Sequence, residues 1–287
     1  MKNTLLDYTR LVKFEHTLFA LPFALIGFFL AVEQQSTTLS LSLLLKVLGC
    51  MVFARNAAMG FNRYLDRSFD AANPRTAMRE IPAGVVSPQK ALAFVLVNSF
   101  FFVLMSWLIN DLCFYLSPVA LVVILGYSYT KRITPLCHFI LSAGLGLAPI
   151  GAYLAVAGEF AIAPLLFSMV VFFWVSGFDI IYACQDVDFD RAWQLNSIPA
   201  IMGIKKALFL SVIVHLASVI FVVAAGIALH SGLLFWIGAL IFIALLTYQH
   251  LIINPMDLSR VNLAFGTTNG IASVIFATFV IASFYLN

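Results

Sequence analysis

The sequence predicts an all-α protein that crosses a membrane nine times. Of its 287 residues, 62% are hydrophobic and only 10% are charged, and the mean hydropathy is +1.01. A soluble domain of this size could not cover its surface with so few polar groups. No segment shows the alternation of apolar and polar residues that barrel strands require, so helices are the remaining spanning structure. We therefore expect a single polytopic membrane domain over residues 1–287.

Nine apolar segments are long enough to span a bilayer, which takes about 20 mostly apolar residues per helix. Very short polar connections, such as Asn110-Asp111, join some of them and predict antiparallel helix hairpins. The first segment lacks a small-residue cleavage site, so we expect a retained span and not a signal peptide. The predicted spans lie near 16–33, 40–61, 90–109, 112–130, 137–156, 161–181, 206–229, 232–252 and 264–285.

Lysine and arginine are concentrated on one side of the predicted bundle. The connections on the other side contain neither residue; they lie near 34–39, 110–111, 157–160 and 230–232. Because positively charged loops stay in the cytoplasm, we expect a cytoplasmic N-terminus and, with nine spans, a C-terminus outside. The two long connections, 62–89 and 182–205, are then both cytoplasmic. Lys46, deep within a span, is the exception.

The cysteines and the basic residues exclude two other kinds of site. The cysteines lie far apart, within or beside apolar segments, and no C-x-x-C pair exists, so we expect reduced packing residues; they are Cys50, Cys113, Cys137 and Cys184. The basic residues form no contiguous stripe, so we expect no nucleic-acid partner.

The most informative segment is RNAAMGFNRYLDRSFDAANPRTAMREIPAG, which runs from Arg55 to Gly84. Within it Asn62, Asp66 and Asp70 are spaced by four residues, which places their side chains on one face of a helix. Five arginines surround them: Arg55, Arg63, Arg67, Arg75 and Arg79. Carboxylates that hold a metal, beside arginines that hold an anion, suggest a magnesium-bridged phosphate site. The alternative is a solvated helix end with ordinary salt bridges.

A second acidic segment, FDIIYACQDVDFD, begins at the end of the sixth predicted span. Asp179 and Tyr182 are followed by Asp186 and Asp190, which repeat the four-residue spacing. Ionisable groups at the end of a membrane helix are costly unless they are paired or functional. Two such clusters on the same side of the membrane suggest two halves of one metal site, and they hint at an internal duplication.

Three segments resemble the UbiA superfamily of intramembrane aromatic prenyltransferases. They are NRYLDRSFDAANPRTAMREIPAG from Asn62, YSYTKRITPLCH from Tyr127 and DIIYACQDVDFD from Asp179, and the resemblance covers essentially the whole chain. It implies nine transmembrane helices around a central cavity, with helical cap segments from the two long cytoplasmic loops. It also implies transfer of an isoprenoid chain from a diphosphate to an aromatic ring, with two Mg²⁺ ions bridging the diphosphate to the aspartates.

Within the superfamily the first segment resembles the 4-hydroxybenzoate polyprenyltransferase branch of respiratory quinone biosynthesis, in a bacterial-type inner membrane. That branch includes relatives that act on dihydroxynaphthoate in a menaquinone route. The run RAWQLNSIPAIMG after Asp190 departs from the usual pattern of the branch. The resemblance therefore implies a polyprenyl diphosphate donor and an aromatic acid acceptor, and it leaves open which acid.

The resemblance assigns roles to individual residues. Arg55 would bind the carboxylate of the acceptor, or alternatively pair with an aspartate in the membrane. One Mg²⁺ would be held by Asn62, Asp66 and Asp70, and the other by Asp186 and Asp190, with Asp179 nearby. The diphosphate would be held by Arg75, Arg79 and Lys131. Arg67 and Arg132 would bind either the diphosphate or lipid headgroups. The allylic cation would be shielded by Tyr127, Tyr129 and Tyr182, or these rings simply pack at the interface.

A secondary transporter is the alternative of a different class. Acidic residues within a helix bundle would fit ion coupling. Transporters, however, place such groups near the bilayer midplane, in broken helices. Here the acids are expected at the cytoplasmic helix ends beside arginines, which favours the enzyme.

Overall fold

The computed structural model describes Tyr8, residues 11–12 and residues 20–286. Within this part of the chain every named element is helical, and the one β-bridge joins Asn254 to Asp257 within a loop. Eight helices of the described residues are long and apolar enough to cross a membrane. The all-α membrane fold predicted from composition is therefore confirmed.

The long helices match the predicted spans to within a few residues. They are α2 (Leu41–Leu65), α4 (Pro88–Trp107), α5 (Asp111–Thr130), α6 (Cys137–Ala157), α7 (Ile162–Ala183), α10 (Ile204–Ala228), α11 (Leu233–Ile252) and α12 (Asn269–Tyr285), the last preceded by a π-helical turn at Leu263–Thr268. The shorter helices are α1 (Leu21–Gln34), α3 (Arg67–Ala72), α8 (Val187–Ala192) and α9 (Ile198–Met202). The two predicted long loops thus carry α3, and α8 with α9.

The first predicted span, 16–33, is the one whose length the structure leaves untested. Helix α1 has 14 residues, which is shorter than a bilayer requires, and residues 13–19 lie outside the described part of the chain. The total of nine spans therefore stays a prediction. The polar segment that precedes it in the sequence lies mostly outside the described residues as well.

The described chain divides into two compact units. Unit 1 contains Leu41–Tyr129 with the described residues near the N-terminus, and unit 2 contains Leu18–Ser40 and Thr130–Asn287. The single domain predicted over residues 1–287 stays a prediction.

Polar contacts between helices fix unit 1. Asn56 on α2 donates its amide to Asn98 on α4, with 3.1 Å between Nδ2 and Oδ1. This bond confirms the helix-bridging role that we expect for an asparagine within a span. Lys46 lies in the second turn of α2, and its Nζ donates to the carbonyl of Leu108 at the end of α4. Lys46 thus binds a free carbonyl at a helix end, which accounts for its exceptional position.

An aromatic core on helix α7 organises unit 2. Trp174 is fully buried and packs against Phe23 and Phe242 from two other helices. Its indole donates to Asn269 Oδ1 at 2.9 Å, and Gln249 donates to the same oxygen at 2.6 Å. Asn269 therefore joins three helices, as expected for an amide inside a membrane bundle.

The cysteines agree with their predicted role. All four are free, and two of them, Cys137 and Cys184, are buried.

Local sequence signals mark the ends of two long helices. Ser87 caps α4 ahead of a proline, and Gly158 ends α6 in the left-handed conformation at φ 68°.

A close approach between helices α1 and α6 gives a test of this packing. A Cβ on Gly27 would collide with the Pro149 carbonyl, lying 2.7 Å from its carbon, whereas one on Gly151 would meet nothing within 4 Å. We expect Gly27→Ala to lower the free energy of unfolding by about 1–3 kcal/mol. Gly151→Ala should be neutral or stabilising by up to about 1 kcal/mol, because alanine favours helix. Thermal unfolding in detergent measures both, and equal midpoints would contradict the packing.

Candidate functional site

Each long loop begins with the same local geometry. Helix α2 ends directly before Asp66, and α7 is followed by a 3₁₀ turn, Cys184–Asp186, that ends at Asp186. The backbone of each aspartate lies near φ −90° and ψ 0°; the values are −87° and 7° at Asp66, and −107° and 9° at Asp186. A six-residue helix follows each break, α3 or α8, and carries the second acid, Asp70 or Asp190, in its first turn. This backbone region is sparsely populated and common at active sites.

The break in the first motif preserves the predicted spacing. The amide of Asp66 donates to the carbonyl of Asn62 at 2.9 Å, and that of Asp70 donates to the carbonyl of Asp66 at 2.8 Å. The side chain of Asn62 also donates to Asp66 Oδ2 at 3.0 Å. The sequence predicts one uninterrupted helical stripe. The structure instead has two helices joined by a turn that retains the four-residue hydrogen bonds.

Asp70 is the buried centre of the first motif. It is only 5% exposed, and Arg79 Nη1 donates to its Oδ1 at 2.6 Å. Its Oδ2 faces Arg63 Nη1 at 4.0 Å and accepts no hydrogen bond from the described residues. Arg63 is itself 4% exposed, so both partners are withdrawn from solvent. Removing either partner of such a pair leaves a buried charge uncompensated and strongly destabilises the folded protein.

Arg55 lies deeper on the same helix, two turns before Asn62. Its Nε is buried and has no hydrogen-bond partner among the described residues. Tyr127 on α5 lies within electrostatic range of Arg55, Arg63 and Asp66. In the described part of unit 1, Arg55 forms no ion pair with an aspartate, which was the alternative to binding an acceptor. A buried guanidinium with an unused donor is suited to receive an anion.

The outer arginines of the first motif differ in how they are used. Arg67 is exposed, donates to the carbonyl of Tyr64 at 2.7 Å and stacks 4.7 Å from the centre of its ring. Arg75 is also exposed, and its backbone amide donates to Asn73 Oδ1. Tyr129 is half exposed, with its ring 5.9 Å from that of Phe61. Among the predicted diphosphate ligands, Arg75 is therefore the most exposed to solvent.

Asp190 is the buried centre of the second motif, in unit 2. It has no exposed surface, and Lys131 Nζ lies 2.7 Å from its Oδ1 as an ion pair without hydrogen-bond alignment. Ser197 donates its hydroxyl to Asp190 Oδ2 at 2.7 Å. Ser197 also caps helix α9, since its Oγ accepts from the amide of Ala200 at 3.3 Å. The structure thus places Lys131, a predicted diphosphate ligand, on a carboxylate.

The other predicted residues of the second motif lie on the last turns of α7 and in the 3₁₀ turn after it. Asp186 is buried, and the Tyr182 ring lies 4.2 Å from that of Phe265 in the π-helical turn. Asp179 Oδ2 lies 2.6 Å from His138 Nδ1. Outside the motif, Arg132 is half-buried in the turn between α5 and α6.

Sequence reasoning did not pair the predicted acids with three of their partners: Arg63, which it counted only among the surrounding arginines, Ser197 and His138. The first two had signals that could have found them. Arg63 precedes Asp70 by two helical turns, and Ser197 stands before a proline as helix caps often do. His138 had none, because no spacing rule pairs a residue on α6 with one on α7.

The donors of both motifs fit a hard divalent cation. They are carboxylate and amide oxygens, which Mg²⁺ prefers over nitrogen or sulfur ligands. The buried Oδ2 of Asp70, which accepts no hydrogen bond, is the clearest sign of unused ligand capacity. Among the described residues no three His, Cys, Asp or Glu side chains converge on one point. Asp70 and Asp190 instead neutralise their charge with Arg79 and Lys131.

Comparisons with known proteins agree with this arrangement. The UbiA prenyltransferase family matches residues 20–281. A 4-hydroxybenzoate octaprenyltransferase of Tolumonas auensis is 28% identical over 243 residues, which cover 85% of each chain. A protein of the same description from Photobacterium profundum is 30% identical over 231 residues, covering 80% of this chain and 79% of the relative.

Solved structures share the fold. The apo structure of a UbiA homologue from Aeropyrum pernix superposes with a TM-score of 0.84 at 32% identity, covering 93% of this chain and 98% of that one. A UbiA homologue from Archaeoglobus fulgidus, solved with GPP and Mg²⁺, gives a TM-score of 0.76 at 22% identity, covering 98% and 100%. The matched family and the apolar helices thus define an integral membrane prenyltransferase. The chain belongs to the UbiA prenyltransferase family.

Two serine caps offer a matched test of the contact between Ser197 and Asp190. Ser87 and Ser197 each accept one amide at 3.3 Å, but only Ser197 also donates to a buried carboxylate. Losing a cap costs about 1 kcal/mol in either case. We expect Ser197→Ala to lose about 1–3 kcal/mol more than Ser87→Ala in thermal unfolding, because a buried acceptor loses its donor. Equal losses would show that the contact stabilises nothing.

Proposed function

We propose that this protein transfers a polyprenyl chain from polyprenyl diphosphate to an aromatic acid of the 4-hydroxybenzoate type, as a step of respiratory quinone biosynthesis. The observation that carries the proposal is the pair of matching motifs, each with one acid at a helix break and a buried second acid beside a cation. The names of the curated relatives support the acceptor class.

The donor would be held by its diphosphate. Arg75, Arg79 and Lys131 are the cations proposed for its oxygens, and charge-assisted bonds from arginine suit such an anion. We propose two Mg²⁺ ions, one held by Asn62, Asp66 and Asp70, and the other by Asp186 and Asp190. When bound, the metal supplies positive charge that stabilises the departing diphosphate. The complex of the Archaeoglobus homologue with GPP and Mg²⁺ supports this choice.

The acceptor would be held by its carboxylate on Arg55. The buried Nε of Arg55 gains an anion partner in that arrangement, and an unused buried donor costs about 1–3 kcal/mol. A hydroxybenzoate and a dihydroxynaphthoate both carry this carboxylate, so Arg55 serves either acid. Because Arg55 lies two turns before Asn62 on α2, the acceptor would lie deeper in the membrane than the acids that bind the metal and the diphosphate.

The reaction exchanges one bond for another at the first carbon of the prenyl chain. The bond from that carbon to the diphosphate oxygen breaks, a bond to a ring carbon forms, and the displaced ring hydrogen leaves as a proton. The electron-rich faces of Tyr127 and Tyr182 would stabilise the positive charge that develops on the allylic carbon. Surrounding apolar helices would keep water from capturing it. We place the active site on the cytoplasmic side, with the N-terminus, by the distribution of lysine and arginine.

Asp66→Asn tests the proposed enzyme directly. Asparagine keeps an oxygen that can accept from Asn62 but loses the charge, so we expect at least a hundredfold loss of turnover with an unchanged unfolding midpoint. The assay uses purified protein, a polyprenyl diphosphate, Mg²⁺ or a chelator, and a panel containing 4-hydroxybenzoate and dihydroxynaphthoates. Near-normal turnover in the variant or with the chelator, or no prenylated acceptor with the parent protein, would overturn the proposal.

Arg55→Leu tests the acceptor site separately. We expect the KM for the aromatic acid to rise at least about tenfold, since a charge-assisted bond contributes about 1.5–3 kcal/mol. The KM for the diphosphate should not change. Arg260→Leu, at an exposed arginine of the loop after α11, is the matched control and should leave both constants unaltered. Equal effects of Arg55→Leu on the two substrates would argue against a carboxylate at Arg55.

A further inference from the structure

His138 connects two parts of the second motif that the sequence does not relate. It lies in the first turn of α6 and is 3% exposed. Its Nδ1 is 2.6 Å from Asp179 Oδ2 at the end of α7. Its Nε2 is 3.3 Å from the amide nitrogen of Ile198, the first residue of α9. A single buried ring thus contacts both an acid of the motif and the short helix that follows it.

The hydrogen bonds define the state of the ring. A backbone amide can only donate, so His138 Nε2 accepts from Ile198 and carries no proton. The proton of the neutral ring is then on Nδ1, which donates it to Asp179. The amide of Ile198 is one of the donors that the start of a helix leaves unpaired, and His138 supplies its acceptor.

We propose that His138 is a positioning residue of the transfer reaction, which holds Asp179 and helix α9 in register. The inference rests on the proposed function and deepens it. Asp179 keeps a side chain about one-fifth exposed while one of its oxygens is bound to His138. Its carboxylate is thereby oriented to accept a hydrogen bond from the ring hydroxyl of the acceptor. That bond would raise electron density on the neighbouring ring carbon, which forms the new bond to the prenyl chain.

The surroundings of helix α9 extend this role to the buried acid. Ser197 directly precedes Ile198 and donates to Asp190, while the carbonyl of Lys131 accepts from the amide of Asn196 at 2.7 Å. The two residues directly before Ile198 therefore bind Asp190 and its cation, Lys131. Moving α9 would disturb Asp190 together with Asp179. Partners of this kind behind functional carboxylates typically contribute 10- to 100-fold in affinity or activity.

Substitutions at position 138 separate positioning from proton transfer. Glutamine reproduces both contacts, because its amide nitrogen donates and its oxygen accepts, but it does not take up a proton near neutral pH. We expect His138→Gln to keep turnover within about threefold of the parent protein. His138→Leu loses both contacts and should lower kcat/KM for the acceptor about 10- to 100-fold.

Two comparisons sharpen the readout. Ser142→Ala is the matched control, because Ser142 donates to the backbone carbonyl of His138 at 2.6 Å and not to its ring. It should match the parent protein. In a double-mutant cycle, Asp179→Asn combined with His138→Leu should cost clearly less than the sum of the two changes, because both break the contact between His138 and Asp179. Additive losses, or a glutamine variant as poor as the leucine variant, would overturn the proposal.

Amide hydrogen exchange keeps this test independent of the proposed function. The amide of Ile198 should exchange about tenfold faster in His138→Leu than in the parent protein or in His138→Gln, since its acceptor is lost. If the parent protein prenylates no acid, the proposed function fails, while exchange still decides whether His138 holds α9. Unchanged exchange in His138→Leu would overturn the positioning role even in an active enzyme.

Discussion

The need to compensate a buried carboxylate shapes both functional loops. Asp70 and Asp190 are withdrawn from water, and an unpaired charge in such surroundings would cost several kcal/mol. The chain solves this in unit 1 by folding the loop after α3 back, so that Arg79 reaches Asp70. In unit 2 the residue after α5, Lys131, reaches Asp190. Each loop is thus fixed by the charge that it buries.

The same compensation suits the chemistry of a diphosphate. A prenyltransferase must bring anionic phosphate oxygens and carboxylates close together, which needs cations from metal and side chain alike. Arg79 and Lys131 lie within 3 Å of the acids, so the fold holds these two positive charges in place. In the proposed reaction, the stability of the loops and the affinity for the donor would therefore depend on the same few side chains.

Much of the architecture was predictable, because membrane spans are encoded by length and composition alone. Eight long helices agree with the predicted segments to within a few residues. The acids of both motifs were found from their spacing. The helix breaks at Asp66 and Asp186 were not predicted. At Asp66 the turn keeps the four-residue hydrogen bonds, so the spacing of the acids does not reveal it.

Sequence separation decides which partners of the acids could be found. Asp70 pairs with Arg63 and Arg79, which belong to its own segment, so the first motif already suggested an acid among arginines. Asp190 instead takes Lys131 from before α6, and Asp179 takes His138 from α6 itself. Such pairs depend on how α6 packs against α7, which no local pattern specifies. The two motifs share a backbone geometry, yet the second depends on tertiary contacts that the first does not need.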